Sequence, residues 1–234
     1  MLAFSLGALS KECPEGEYFV KAHHRNEYVR KDGTHYSESF VKEACKEYRD
    51  GHLLIKKFLD TPPVFWNQKK EKFKKWNKKE KNFLLKAFEE LPEPLIKNQN
   101  FKLHRAFKSD FENNSASCIP EKSTIVLYDS FFKENSSRIL AHELAHFLYS
   151  SIPKEKKEKY KTTALWFEDE NGNILVSRKD GFVEEDSRLG PEEDFANNVE
   201  YYLFDKALLE KKNNTIYHWI EMNLMDDLFG KGKK

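Results

Sequence analysis

Residues 139–148 read Ile-Leu-Ala-His-Glu-Leu-Ala-His-Phe-Leu, and this run constrains the fold more than any other in the chain. Leu140, Leu144 and Leu148 recur at helical spacing, Ala141 and Ala145 keep the surroundings compact, and Ser136-Ser137 mark a start. The pattern predicts a helix buried over much of its circumference. Two imidazoles held in such a helix need partners, because burying an unpaired polar group is costly. His142 and His146 stand at i and i+4, one turn apart on one face, so both can reach a single tetrahedral zinc at about 2.0–2.1 Å. Glu143 follows the first of them, and its carboxylate can reach a zinc-bound water. From there it can take a proton and pass it to a leaving amine. The motif is H-E-x-x-H, with Zn2+ as its implied cofactor.

A catalytic zinc needs a third protein ligand and an open position. Phe147, Leu148 and Tyr149 follow His146, so no histidine extension is present. The one later histidine, His218, sits far along the chain between Tyr217 and Trp219. The third ligand is therefore expected to be a carboxylate on a second helix starting near Gly190-Pro191, where proline suits the first turn. Glu192, Glu193, Asp194 and Glu200 are the candidates. Glu193 is favoured, since Asn197 one turn on could accept an N–H from a ligating histidine. Ala196 would allow the two helices to approach closely and Phe195 would pack between them. Val199, Tyr202 and Leu203 complete the expected buried side of what reads as the last helix.

The rest of the chain frames this core. It has 234 residues, with 40 Lys plus Arg against 39 Asp plus Glu and a net charge of +1. That length suits one ordinary domain with a short appendage. The near-zero net charge argues against a dedicated nucleic-acid binder, and no apolar run approaches the roughly 18 residues of a membrane span. Eight lysines crowd into residues 69–81. Asn77 and Glu80 there form a capping pair, and Phe83, Leu84, Ala87, Phe88 and Leu91 continue at helical spacing, so the lysines read as the solvent face of an amphipathic helix ending before Pro92. Residues 123–129, Ser-Thr-Ile-Val-Leu-Tyr-Asp, predict a buried strand. Residues 164–176 predict a hairpin around Asn171-Gly172. Asp169, Asn171 and Asn173 fail as a calcium loop, because Ile174 stands where that loop needs glycine.

The N-terminal quarter reads differently. Residues 1–10 are uncharged, and Ala8-Leu9-Ser10 resembles a signal-peptidase site, so they predict the remnant of a secretory signal and a secreted or periplasmic protein. Residues 11–60 form a small segment, with a turn at Lys31-Asp32-Gly33-Thr34 between Tyr28-Val29 and the stretch from His35, and a helix over Ser37 to Tyr48. Thr61-Pro62-Pro63 is the expected boundary. In an exported protein Cys13–Cys45 is the expected bridge, leaving Cys118 free. Cys13, His23, His24, His35 and Cys45 match no compact zinc spacing.

The H-E-x-x-H run, followed 47 residues after His146 by Glu193-Asp194-Phe195-Ala196, resembles the gluzincin metallopeptidases, nearest the anthrax lethal factor-like zinc peptidases. The likeness spans about residues 80–225. It implies an α+β, zincin-like metallopeptidase domain over 61–230: a small mixed sheet with an edge strand, a helix bearing His142, Glu143 and His146, and a second helix bearing Glu193 as third ligand. In that fold the edge of the strand containing Ile125 to Asp129 would line the cleft and pair with an extended peptide. Those enzymes also carry a tyrosine several residues before the third ligand to steady the oxyanion. Asp186 stands there in this chain, so Tyr201, Tyr202, Arg188 or a residue of the N-terminal segment would have to substitute. The implied activity is peptide-bond hydrolysis by a monomer acting on a protein or peptide, with no nucleic-acid partner. The alternative is a zincin-fold binding module with little or no catalysis.

Overall fold

The chain divides into two units, Met1–Leu54 and Ile55–Lys234. The computed structural model describes residues 73–97, 99–109, 114–133 and 136–230, Leu59, residue 42, and the strand segments of the first unit. Residues 1–16, with the signal-like leader and Cys13, lie outside the described residues, as do the Lys31–Thr34 turn, Thr61-Pro62-Pro63 and the side chains of His23, His24, His35 and Cys45.

The first unit contains three antiparallel ladders. Strand β1 (Glu17–Val20) pairs with β6 (Ala44–Glu47), β2 (His23–Arg25) with β5 (Ser39–Val41), and β3 (Tyr28–Val29) with β4 (His35–Tyr36). All three share one register, symmetric about position 32, which is the pattern of a single interrupted hairpin. The helix expected over Ser37 to Tyr48 is therefore corrected to β5 and β6. Helical spacing of Phe40, Val41, Ala44 and Cys45 is a local signal. It loses to pairing that satisfies the backbone of Glu17 to Arg25, which no helix at 37–48 could reach.

The second unit is mixed α+β. Helix α1 (Lys78–Glu89) begins with the anticipated capping box: Asn77 accepts from the Glu80 N–H at 2.9 Å, and Glu80 accepts from the Asn77 N–H at 3.1 Å. Lys75, Lys78, Lys79 and Lys81 face solvent, while Leu84, Leu85, Ala87 and Phe88 are buried. The short helix α2 (Glu93–Lys97) follows, then β7 (Lys102–Arg105), β8 (Ala116–Ile119) and β9 (Thr124–Leu127). They form a three-stranded sheet in the order β7-β9-β8, with β7 parallel and β8 antiparallel to β9.

This order corrects one expectation. The apolar strand at 124–127 is central and buried at every residue, so it cannot offer an edge. The outer strands are β7 and β8. Four consecutive apolar or small residues suit a strand covered on both faces and flanked on both sides, whereas Ala-Ser-Cys-Ile can tolerate partial exposure.

Beyond α1, Glu80 has a further role. Its other oxygen accepts from Arg105 Nε at 3.1 Å. Arg105, at the end of β7, also donates to the Leu127 carbonyl at 3.1 Å and pairs with Asp129, which Lys74 contacts at 2.6 Å. The Arg105 side chain is 2% exposed. Arg105→Ala would leave Glu80 with Lys74, 3.5 Å away, as its remaining cation and strip the Leu127 carbonyl of a buried donor, so unfolding free energy should fall by about 1–3 kcal/mol in urea denaturation. A loss under about 1 kcal/mol would contradict this account.

Helix α3 (Ser136–Ser151) carries the His-Glu-His run, and α4 (Lys154–Thr163) turns back from it. The hairpin β10 (Trp166–Glu168) and β11 (Ile174–Val176) forms as expected, with Gly172 at φ 81° in its turn. Asp169 Oδ1 accepts from the N–H groups of Asn171 and Asn173 at 2.9 and 2.8 Å, so these side chains build a turn. Helix α5 (Pro191–Phe204) packs against α3 in the most extensive helix pairing of the unit. It is not the last helix: α6 (Lys206–Asn223) and α7 (Met225–Phe229) follow. Asn213 interrupts α6 with φ −150°, and its side chain accepts from the Ile216 N–H to restart the helix. No described helix is long and apolar enough to cross a membrane.

Candidate metal centre

Helix α3 is buried on nearly all sides, including Glu143 and His146. Ala196 and Phe195 of α5 are fully buried. Phe195 packs on Tyr149 of α3, Tyr160 of α4 and Trp219 of α6, at ring separations of 5.1, 5.0 and 6.3 Å. A small residue beside a large one sets the closeness of α3 and α5, and so the height at which Glu193 meets the histidines.

The meeting is close. His142 Nε2 and His146 Nε2 are 3.1 Å apart, and Glu193 Oε2 lies 3.3 Å from the first and 3.6 Å from the second. Ligands placed tetrahedrally at about 2.0–2.1 Å from an ion stand about 3.3 Å apart. The triangle of these three atoms thus has the dimensions of one face of a metal coordination sphere. The group His142, His146 and Glu193 is geometrically able to bind a metal.

The other carboxylates weighed as ligands sit elsewhere. Glu192 Oε1 is 3.3 Å from His146 Nδ1, and Glu200 Oε2 is 3.7 Å from His142 Nδ1. Arg138 Nε anchors Glu200 at 2.8 Å. Each histidine thus presents Nε2 to the triangle and Nδ1 to an outer carboxylate, an arrangement that would fix ring orientation and strengthen Nε2 as a metal ligand. Asn197, assigned that outer role from sequence, does not take it. Its amide donates to Asp186 Oδ1 at 2.7 Å and Ser187 Oγ at 3.1 Å, because its phase on α5 points it at the short 3-10 turn Asp186–Leu189.

Asp194 also faces away from the triangle. It is fully buried and accepts from Tyr160 Oη, Trp166 Nε1 and Asn198 Nδ2, each at 3.0 Å, and from Arg178. This network ties the first turn of α5 to α4 and β10. Tyr202 and Arg188, considered as oxyanion partners, are spent as well. Tyr202 Oη donates to Met225 Sδ at 3.2 Å, and Arg188 donates to the Lys179 carbonyl at 3.0 Å while stacking on Phe182. Tyr201 donates to Glu184.

The triangle opens onto a cavity of about 870 Å³. Edge strand β8 forms one wall, and Glu143, Tyr149, Asp186 and Ile174 also line it. Burial pushes the Glu143 carboxyl up, against the pull of His142 and His146, and no described residue hydrogen-bonds it. Burial opposes charge on His142, but Glu193 and Glu200 outweigh it and hold the imidazole up at about 10. In Glu193 the two histidines outweigh burial and lower the carboxyl below its usual range. Cys118, free on β8, is pushed up by burial and by Glu143 and Glu192, and stays a thiol.

Sequence reasoning missed β8 and Tyr149. For β8 no periodic signal exists in four residues. Tyr149 was readable: it stands three residues after His146, on the histidine face of the helix. No family model, curated protein or solved structure matches this chain.

Proposed function

We propose that this protein is a zinc-dependent metallopeptidase with a zincin-like domain. The observation that carries the reading is the convergence of His142 Nε2, His146 Nε2 and Glu193 Oε2 beside Glu143, which no described residue hydrogen-bonds, all at one cavity. Two nitrogens and one carboxylate oxygen are a donor set suited to zinc, and three ligands leave a position open for a reactant. Bound there, zinc would supply a Lewis acid that polarises a carbonyl and acidifies a water.

The remaining roles belong to the chain. Glu143 takes a proton from the attacking water and later gives it to the departing amine. Its raised affinity for protons, caused by burial, suits a base that must also act as an acid. Among the described residues strand β8 pairs on one side only, with β9, so its other side offers backbone donors and acceptors to an extended peptide lying in the cavity. Glu192 and Glu200 orient the histidines. A buried Glu143 carboxyl that no described residue hydrogen-bonds favours an enzyme over a purely structural metal site, which would have no use for such an acid.

The test is metal analysis of the full chain with cleavage of a random peptide library. About one zinc per chain is expected, with cleavage abolished by a chelator and restored by zinc. His142 must lose its proton before Nε2 can bind metal, so zinc affinity should rise about tenfold per pH unit from about pH 6 to 8. A zinc-loaded chain that cleaves nothing in the library would sink the peptidase reading.

A further inference from the structure

This inference rests on the peptidase reading and names a residue that it leaves unassigned. Hydrolysis by addition of water places a negative charge on the former carbonyl oxygen, and a positioned donor at that oxygen is among the largest contributions a site can make. Tyr201, Tyr202 and Arg188 are committed elsewhere, and the side chain of Asp186 accepts from Asn197.

Tyr149 is placed differently. It follows His142 by seven residues and His146 by three, so the three side chains share one face of α3. Helical side chains lean towards the N-terminus, which carries its phenol back towards the turn bearing His146. It lines the same cavity as His142, Glu143, His146 and Glu193. The ring is held against Phe195 and Tyr160, with the Lys157 ammonium 5.3 Å from its centre. The residue is 9% exposed. Tyr160, Tyr201 and Tyr202 each bond their hydroxyl to a protein atom. The Tyr149 hydroxyl bonds to no described residue, and it is not sealed from solvent either. A phenol clamped on its ring, bonded at its oxygen to no described residue and belonging to a residue that lines the cavity, is arranged to donate to whatever occupies that cavity.

We propose that Tyr149 is a catalytic residue that donates its O–H to the substrate oxyanion. Water adds to the carbonyl carbon, the carbonyl π pair moves onto oxygen, and that oxygen accepts the Tyr149 hydrogen bond while the proton stays on the phenol. Collapse re-forms the carbonyl and breaks the C–N bond, and the amine leaves with the proton held by Glu143. Tyr149 thereby fills the role that Asp186 cannot, from the histidine helix rather than from the segment before Glu193.

The experiment compares zinc-loaded wild type with Tyr149→Phe, which keeps the ring and its packing. On a peptide from the library, kcat should fall about 10²–10³-fold with KM changed less than about twofold and zinc content unchanged. Two inhibitors give a readout apart from turnover. Affinity for a phosphonamidate dipeptide, which presents a tetrahedral anion, should fall at least about tenfold. Affinity for a mercaptoacetyl dipeptide, which binds through sulfur, should hold. Equal loss for both inhibitors would make Tyr149 a packing residue and overturn the proposal, as would a variant equal to wild type in kcat and phosphonamidate affinity. A wild type that cleaves nothing overturns the peptidase reading and this one with it, whereas an active wild type matched by Tyr149→Phe overturns this one alone.

Discussion

Glu143→Gln is expected to retain zinc at the wild-type level while hydrolysis falls by about 10²–10⁴-fold. The amide has the shape of the carboxylate but cannot take a proton from water at neutral pH. Glu143 contributes no atom to the triangle formed by His142, His146 and Glu193, so metal retention should be untouched. Nor should folding suffer, since no described residue hydrogen-bonds the Glu143 carboxylate. Burial already disfavours the charged form of Glu143 and the amide carries no charge, so thermal stability should match or exceed wild type. The decisive comparison is turnover against metal content on the same sample. Loss of both together would make Glu143 a metal-site support rather than the base, and unchanged turnover would remove it from the mechanism.

Asp194→Asn should weaken the protein by about 3–5 kcal/mol, the range for stranding one member of a buried ion pair. The Arg178 side chain is 7% exposed and stacks on Phe182, with Asp194 as its carboxylate partner. The asparagine would also lose an acceptor needed by Tyr160, Trp166 or Asn198. Because Asp194 neighbours Glu193, the fault should reach the cavity. Zinc affinity is expected to fall roughly 10–100-fold, as when the support of a metal ligand is removed. Urea denaturation and a chelator competition check the two effects separately. A variant that loses stability but binds zinc as wild type does would show that Glu193 is positioned without this network.

The parts readable from sequence are those with a local physical cause. The capping pair Asn77 and Glu80, the hairpin turn at Gly172 and the apolar periodicity of α3 are each decided within a few residues. The grouping of His142, His146 and Glu193 was readable because helical phase fixes two of them and Ala196 hints at the approach of the third. The parts missed depend on distant partners. Strands β5 and β6 exist only as mates of β2 and β1. Lys102–Arg105 forms β7 because β9 pairs with it, although two of its four residues are basic. Helix α4 has few apolar residues and finds its place through the single buried ring of Tyr160. The division of labour among Glu192, Glu193, Asp194 and Glu200 turns on the rotation of α5 about its axis, which sequence spacing leaves open by one residue either way.

The double duty of Glu80 has a consequence for how the second unit comes apart. One oxygen closes the first turn of α1 and the other holds Arg105, whose remaining donors reach Leu127 and Asp129. Fraying of α1 from its start therefore uncovers a guanidinium and loosens the end of two strands at once. Helix ends ordinarily open at little cost, ahead of the rest of a fold. Here the first turn of α1 and the C-terminal ends of β7 and β9 are bound into one cooperative unit, and their amides should exchange with solvent as one.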